Sequence, residues 1–96
     1  MHARVTTLRG RADELEEGIA QYRDLLPTFR AIPGNKGAFL LVGRDAERAI
    51  GVTLWESEQA AAESRERANE LRERAVQEMR GQLESVDEFE VAVWDV

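Results

Sequence analysis

The sequence predicts an α+β protein of ferredoxin-like order, β-α-β-β-α-β, with an antiparallel four-stranded sheet and two helices on one face. Three observations lead there. Two amphipathic stretches, with apolar residues every three or four positions, alternate with runs rich in β-branched residues. The two middle runs, AFLLV and AIGVTLW, are separated only by the polar segment GRDAER, which reads as a hairpin. The remaining strand-like runs lie at the two ends of the chain.

Each element follows from local chemistry. ARVTTL at 3–8 is the first strand, closed by Gly10. Asp13 with Glu16 three residues on has the form of a helix N-cap with a reciprocal acid. Leu15, Ile19, Tyr22, Leu26 and Phe29 then make one helical stripe, with Pro27 expected to kink the helix or start a second short turn. Pro33-Gly34 ends it. The hairpin strands are expected at 38–42 and 49–55. Ser57 is the natural N-cap of the second helix, whose buried stripe is Ala60, Ser64, Ala68, Leu71, Ala75 and Met79, with Gly81 as its C-terminal cap. FEVAVWDV, 89–96, is expected as the last strand. No linker, low-complexity tract or tandem repeat interrupts the chain, so residues 1–96 read as a single domain.

Composition narrows the function. The chain has no cysteine, which removes disulfides and thiolate metal sites, and its only histidine is His2, so no site built from several imidazoles is expected. A net charge of −6 with scattered arginines suits neither a nucleic-acid backbone nor an anionic membrane. The N-terminal segment lacks an apolar signal region, and no run approaches the length of a membrane span. A soluble cytoplasmic protein is the expectation. There is no glycine-rich nucleotide fingerprint and no Cys–His pair for covalent catalysis.

The strands carry apolar residues on both sides. Phe39 and Leu41 oppose Ala38, Leu40 and Val42, and Ile50, Val52 and Leu54 oppose Ala49, Gly51, Thr53 and Trp55. Two helices cover one sheet face. The other would expose more apolar surface than a soluble monomer tolerates, so a two-fold homodimer with sheets packed face to face is expected.

The element order, the segment PGNKGAFLLV and above all LWESEQA resemble the antibiotic biosynthesis monooxygenase (ABM) family, of the dimeric α+β barrel superfamily. The resemblance spans nearly the whole chain. It implies a small protein that binds an aromatic or otherwise apolar molecule between sheet and helices. If it is an enzyme, the implied reaction is cofactor-independent oxidation of a phenolic substrate by O₂, with no cofactor and no metal. In members that oxidise polycyclic phenols, a Trp stands where Trp55 stands and an Arg where Arg72 stands, and these are the catalytic candidates. Those members also carry a Tyr and an Asn at positions that are Ala61 and Gly51 here. Haem-degrading members use a His on the second helix, and this helix has none. The other reading is a non-catalytic dimeric binding or accessory module, in which small residues let helix and sheet meet with no cavity between them.

Individual residues read two ways. Trp55 either walls a flat pocket or packs at the strand–helix junction. Arg72 either stabilises a developing anion or belongs to a solvated, salt-bridged face with Glu63–Arg67 and Glu70–Arg74. Asn69, a weak helix former beside Ala68, either points at a ligand or lies on the surface. Tyr22 is on the apolar stripe with a hydroxyl in reach of a pocket. His2 is a candidate general base near neutral pH, or incidental at a terminus. Arg4 reads like His2, as a catalytic candidate or a strand residue that simply faces solvent, and Glu88 and Glu90 as a carboxylate pair for acid–base work or as edge charges.

Overall fold

The computed structural model describes residues 1–79 and 82–95, apart from the side chains of residue 72 and residues 75–79. The elements are β1 (His2–Arg9), α1 (Ala12–Arg30), β2 (Asn35–Gly43), β3 (Arg48–Trp55), α2 (Glu58–Met79) and β4 (Gln82–Glu90). They form the expected ferredoxin-like arrangement, an antiparallel sheet in the order β2-β3-β1-β4.

Four local expectations are corrected. The cap of α1 is Arg11 rather than Asp13, and its backbone N–H donates to Glu14 Oε1 at 2.9 Å. A carboxylate three residues into the helix can reach back to the cap, and Glu14 stands at that spacing. The helix also runs through Pro27 to Arg30. Pro27 is exposed, and the chain leaves by bonds from Ala31 N to Pro27 O and from Ile32 N to Phe29 O. The last strand lies earlier than 89–96. It pairs with β1, and that pairing ends at His2↔Glu90, beyond which the bond from Val91 N to Met1 O at 2.9 Å reaches the first residue of the chain. Finally, Glu63 accepts from Gln59, and Glu70 pairs with Arg67, so the acids of α2 take different partners from those expected. The expected cap at Gly81 and the stripe side chains of Ala75 and Met79 lie outside the described residues.

Register assigns the faces. Side chains alternate across a strand, and β1 is paired with β3 as Arg4↔Thr53, Thr6↔Gly51 and Leu8↔Ala49. These residues face the helices. Leu8, Leu15 and Ala49 form one buried cluster; Phe29, Ile32, Trp55, Ala61, Ala68 and Leu71 form another beneath α2. The stripe positions Ala60, Ser64, Ala68 and Leu71 are all buried. On the opposite, helix-free face, Ala3, Val52 and Leu54 cluster with Val5, Ile50 and Val91, while Phe39, Leu41 and Phe89 stand exposed.

Gly34 fixes the approach of the hairpin to α2. It has a φ of 85°, which favours glycine, and a Cβ there would lie 2.6 Å from Ala60 Cβ. Its carbonyl accepts from Glu56 N at 2.8 Å. Among the described residues, no helix is long and apolar enough to cross a membrane.

Candidate functional site

Between sheet and helices lies a cavity of about 50 Å³. Leu8, Leu25, Phe29 and Leu40 line it together with Arg4, Thr6, Tyr22 and Thr53, and the surface they present to it is almost wholly apolar. The strand residues arrive by register, and the helical ones by the stripe of α1.

Arg4 is the main correction to the sequence reading. It is 3% exposed, deep on the helix face of the central strand. Its Nη2 donates to Ala61 O at 2.7 Å and to Glu88 Oε1 at 3.3 Å. Its Cζ lies 5.4 Å from the centroid of the Trp55 ring, in reach of a cation–π contact. A buried guanidinium is tolerated only with such partners. Glu88 also accepts from Arg65 Nη2 at 2.7 Å, so this carboxylate ties β1, β4 and α2 together rather than serving as an edge charge. No feature of the local sequence marks Arg4, because its burial depends on pairings with residues far along the chain.

Trp55 sits one layer behind the cavity wall. It is 0% exposed, and its indole N–H donates to Thr53 Oγ1 at 3.0 Å. It does not line the cavity; it supports Arg4 and Thr53, which do. Of the residues singled out from the sequence, Tyr22 joins Arg4 in lining the cavity among the described residues. Its hydroxyl lies 3.1 Å from Phe39 O and 3.2 Å from Val52 O and donates to these carbonyls. Burial raises its pKa above the ordinary range, so the phenol stays neutral. Its ring fits because residue 51 is glycine: a Cβ there would lie 3.3 Å from Tyr22 Cε2. Asn69 is half-buried on α2 and is not among the lining residues. His2 lies at the end of β1, its Nε2 4.0 Å from Glu88 Oε1. Arg72 is on α2, and its side chain lies outside the described residues.

The sequence matches the family model for antibiotic biosynthesis monooxygenases over residues 1–73. The chain belongs to the antibiotic biosynthesis monooxygenase (ABM) family. It is 36% identical over 96% of its length to Rv2557, an uncharacterized protein of Mycobacterium tuberculosis, and 36% identical over 94% to a second, Rv2558. It spans about two fifths of the length of these relatives, 41% and 39%. In three dimensions it is similar to the haem degrader MhuD of M. tuberculosis, solved with two haems in its active site. There the TM-score is 0.73 at 26% identity, covering 100% of this chain and 99% of that one. It is also similar to SnoaB, a cofactor-independent oxygenase of Streptomyces nogalater. That TM-score is 0.73 at 16% identity, covering 97% and 94% of the two chains, a likeness of fold.

The residues of this ABM chain fit haem poorly. Its α2 has no histidine, His2 lies at the end of β1 and not among the lining residues, and a space of about 50 Å³ is far below that of a macrocycle. Among the described residues, no group of three or more His, Asp or Glu is arranged to hold a metal ion.

Proposed function

We propose that this ABM protein works as a homodimer that binds an aromatic or phenolic small molecule between sheet and helices and oxidises it with O₂ without a cofactor. One observation carries the reading: a buried cation, Arg4, backed by the Trp55 ring at the wall of an apolar cavity. A fixed positive charge in a dry site stabilises an anion that forms during reaction. A phenolate or benzylic carbanion donates electrons to O₂. One oxygen atom becomes a new carbonyl at the oxidised methylene, and the other leaves as water with the two methylene hydrogens. Arg4 holds the anion's charge and Trp55 positions Arg4, while Arg72 is kept as a second catalytic candidate on the strength of the family resemblance. Tyr22 stays neutral and shapes the cavity rather than moving a proton. The test is O₂ uptake with a panel of anthrone- and hydroquinone-type compounds. Turnover that falls at least tenfold in Arg4→Gln supports the reading, and no turnover with any of the panel removes it.

A second reading, a non-catalytic binding or accessory module, draws on the size of the cavity. Drug-sized ligands occupy roughly 300–1,000 Å³, and about 50 Å³ holds only a few waters. Oxidation of a polycyclic phenol therefore requires α1 and Tyr22 to move away from Gly51. Binding of such a phenol without O₂ uptake would select this second reading.

The homodimer rests on the helix-free face, where Phe39, Leu41 and Phe89 are exposed around a buried apolar centre. Two such faces packed together would bury a standard interface of about 1,600 Å².

A further inference from the structure

The cavity between sheet and helices is too small for the aromatic molecule of the proposed reaction, and it does not suit water either. Its volume is about 50 Å³, and the surface lining it is almost wholly apolar. A buried water needs about two to four polar partners, so such a space stays dry. An apolar cavity of about 150 Å³ takes benzene or xenon. About a third of that volume excludes a ring and admits a molecule of two heavy atoms. A cation stands at the wall, because Arg4 lines the cavity and is buried. Glu88 is shared between Arg4 and Arg65, so these three charges together leave a positive one.

We infer that this cavity binds dioxygen. The inference rests on the oxidation reading and gives the second substrate of that reaction a place of its own. Neutral, apolar O₂ gains by leaving water for such a space. When the substrate anion passes it one electron, the anion becomes a carbon radical and O₂ becomes superoxide. That new negative charge is held beside Arg4, where low dielectric makes the attraction strong. The two radicals then join in a C–O bond. The peroxide so formed takes up the proton released when the anion was made, and loss of water with the second methylene hydrogen leaves the carbonyl. Tyr22 governs the meeting of the two substrates. Tyr22 and Leu40 line both this cavity and a groove of about 490 Å³ between α1 and β2, wide enough for a ring system. Movement of Tyr22 off Gly51, which the proposed reaction requires, opens the wall between the small space and the large one.

Dioxygen is paramagnetic, so its site is read without any turnover. Methyl relaxation is compared by solution NMR under O₂ and under N₂ at the same pressure. The methyls of Leu8 and Ala68 line the cavity, and Leu54 is as buried but lies on the helix-free face. Leu8 and Ala68 should show at least threefold more O₂-dependent relaxation than Leu54. Thr6→Ile and Leu25→Phe each put carbon into the cavity and should abolish that excess; two variants are made so that one failing to fold leaves the other. No excess in the wild type, or an excess that persists in a folded, filled variant, overturns the dioxygen site. Where an aromatic compound is turned over, the filled variants should raise KM for O₂ at least fivefold and leave KM for the aromatic unchanged, and an unchanged KM for O₂ also overturns it. An excess at Leu8 and Ala68 with no turnover of any aromatic supports the site and removes only the oxidation reading.

Discussion

Arg4 shows how a single side chain sets the character of the space between sheet and helices. It is a long cation in the middle of a sheet, and burial is affordable only because Ala61 O, Glu88 and the Trp55 ring receive it. Arg4→Met should destabilise the fold by about 1–3 kcal/mol in urea titration, since Ala61 O and Glu88 lose a buried donor while Glu88 keeps Arg65. Trp55→Ala should cost more, about 3–5 kcal/mol, because it empties a fully buried site. Tyr22 gives a pH signature. Its folded pKa is raised, so the folded state keeps a proton that the unfolded chain releases above about pH 10. Its contribution is therefore complete below pH 10 and declines as pH rises further. Tyr22→Phe should flatten that alkaline decline in stability-versus-pH curves while losing the bonds to Phe39 O and Val52 O.

The elements are held in register by a few junctions. Gly34 is one, where the loop after α1 meets the first turn of α2. Gly34→Ala combines a left-handed φ with a 2.6 Å approach to Ala60 and should destabilise by about 1–3 kcal/mol, read as a lowered urea midpoint. Pro27 is the opposite case. It lies exposed within α1 and cannot donate to the turn before it, so Pro27→Ala should stabilise the protein by about 1–3 kcal/mol in the same assay. Gly51 trades a side chain for contact, allowing Tyr22 to lie on the sheet. That close approach is the structural origin of the small cavity.

For the whole molecule, the helix-free face dominates. A sheet covered on one side leaves Phe39, Leu41 and Phe89 in water, and a second copy is the proposed cover. Leu41→Glu sets an unpaired carboxylate on that face, away from the helix-side clusters. It should convert a dimer near twice 10.9 kDa to a folded monomer by light scattering, with far-UV circular dichroism retained. A variant that remains dimeric at micromolar concentration would place the interface elsewhere.

The order of the elements, the apolar stripes of α1 and α2 and the doubly apolar strands were all legible in the sequence. They arise from periodicities of two and 3.6 residues, which are local properties of the chain. The family was legible by another route, the resemblance of LWESEQA to the sequences of its members. The end of β4 was not, because it depends on where β1 runs out. Nor was the face taken by Trp55, because a one-residue change of register would turn it outward. The burial of Arg4 was not legible either, since its partners, Trp55, Ala61 and Glu88, lie far from it in sequence. The chain alone determined which segments bury an apolar side. Only long-range strand pairing and the packing of α1 and α2 on the sheet decided which polar groups were buried with them and how little space remained between.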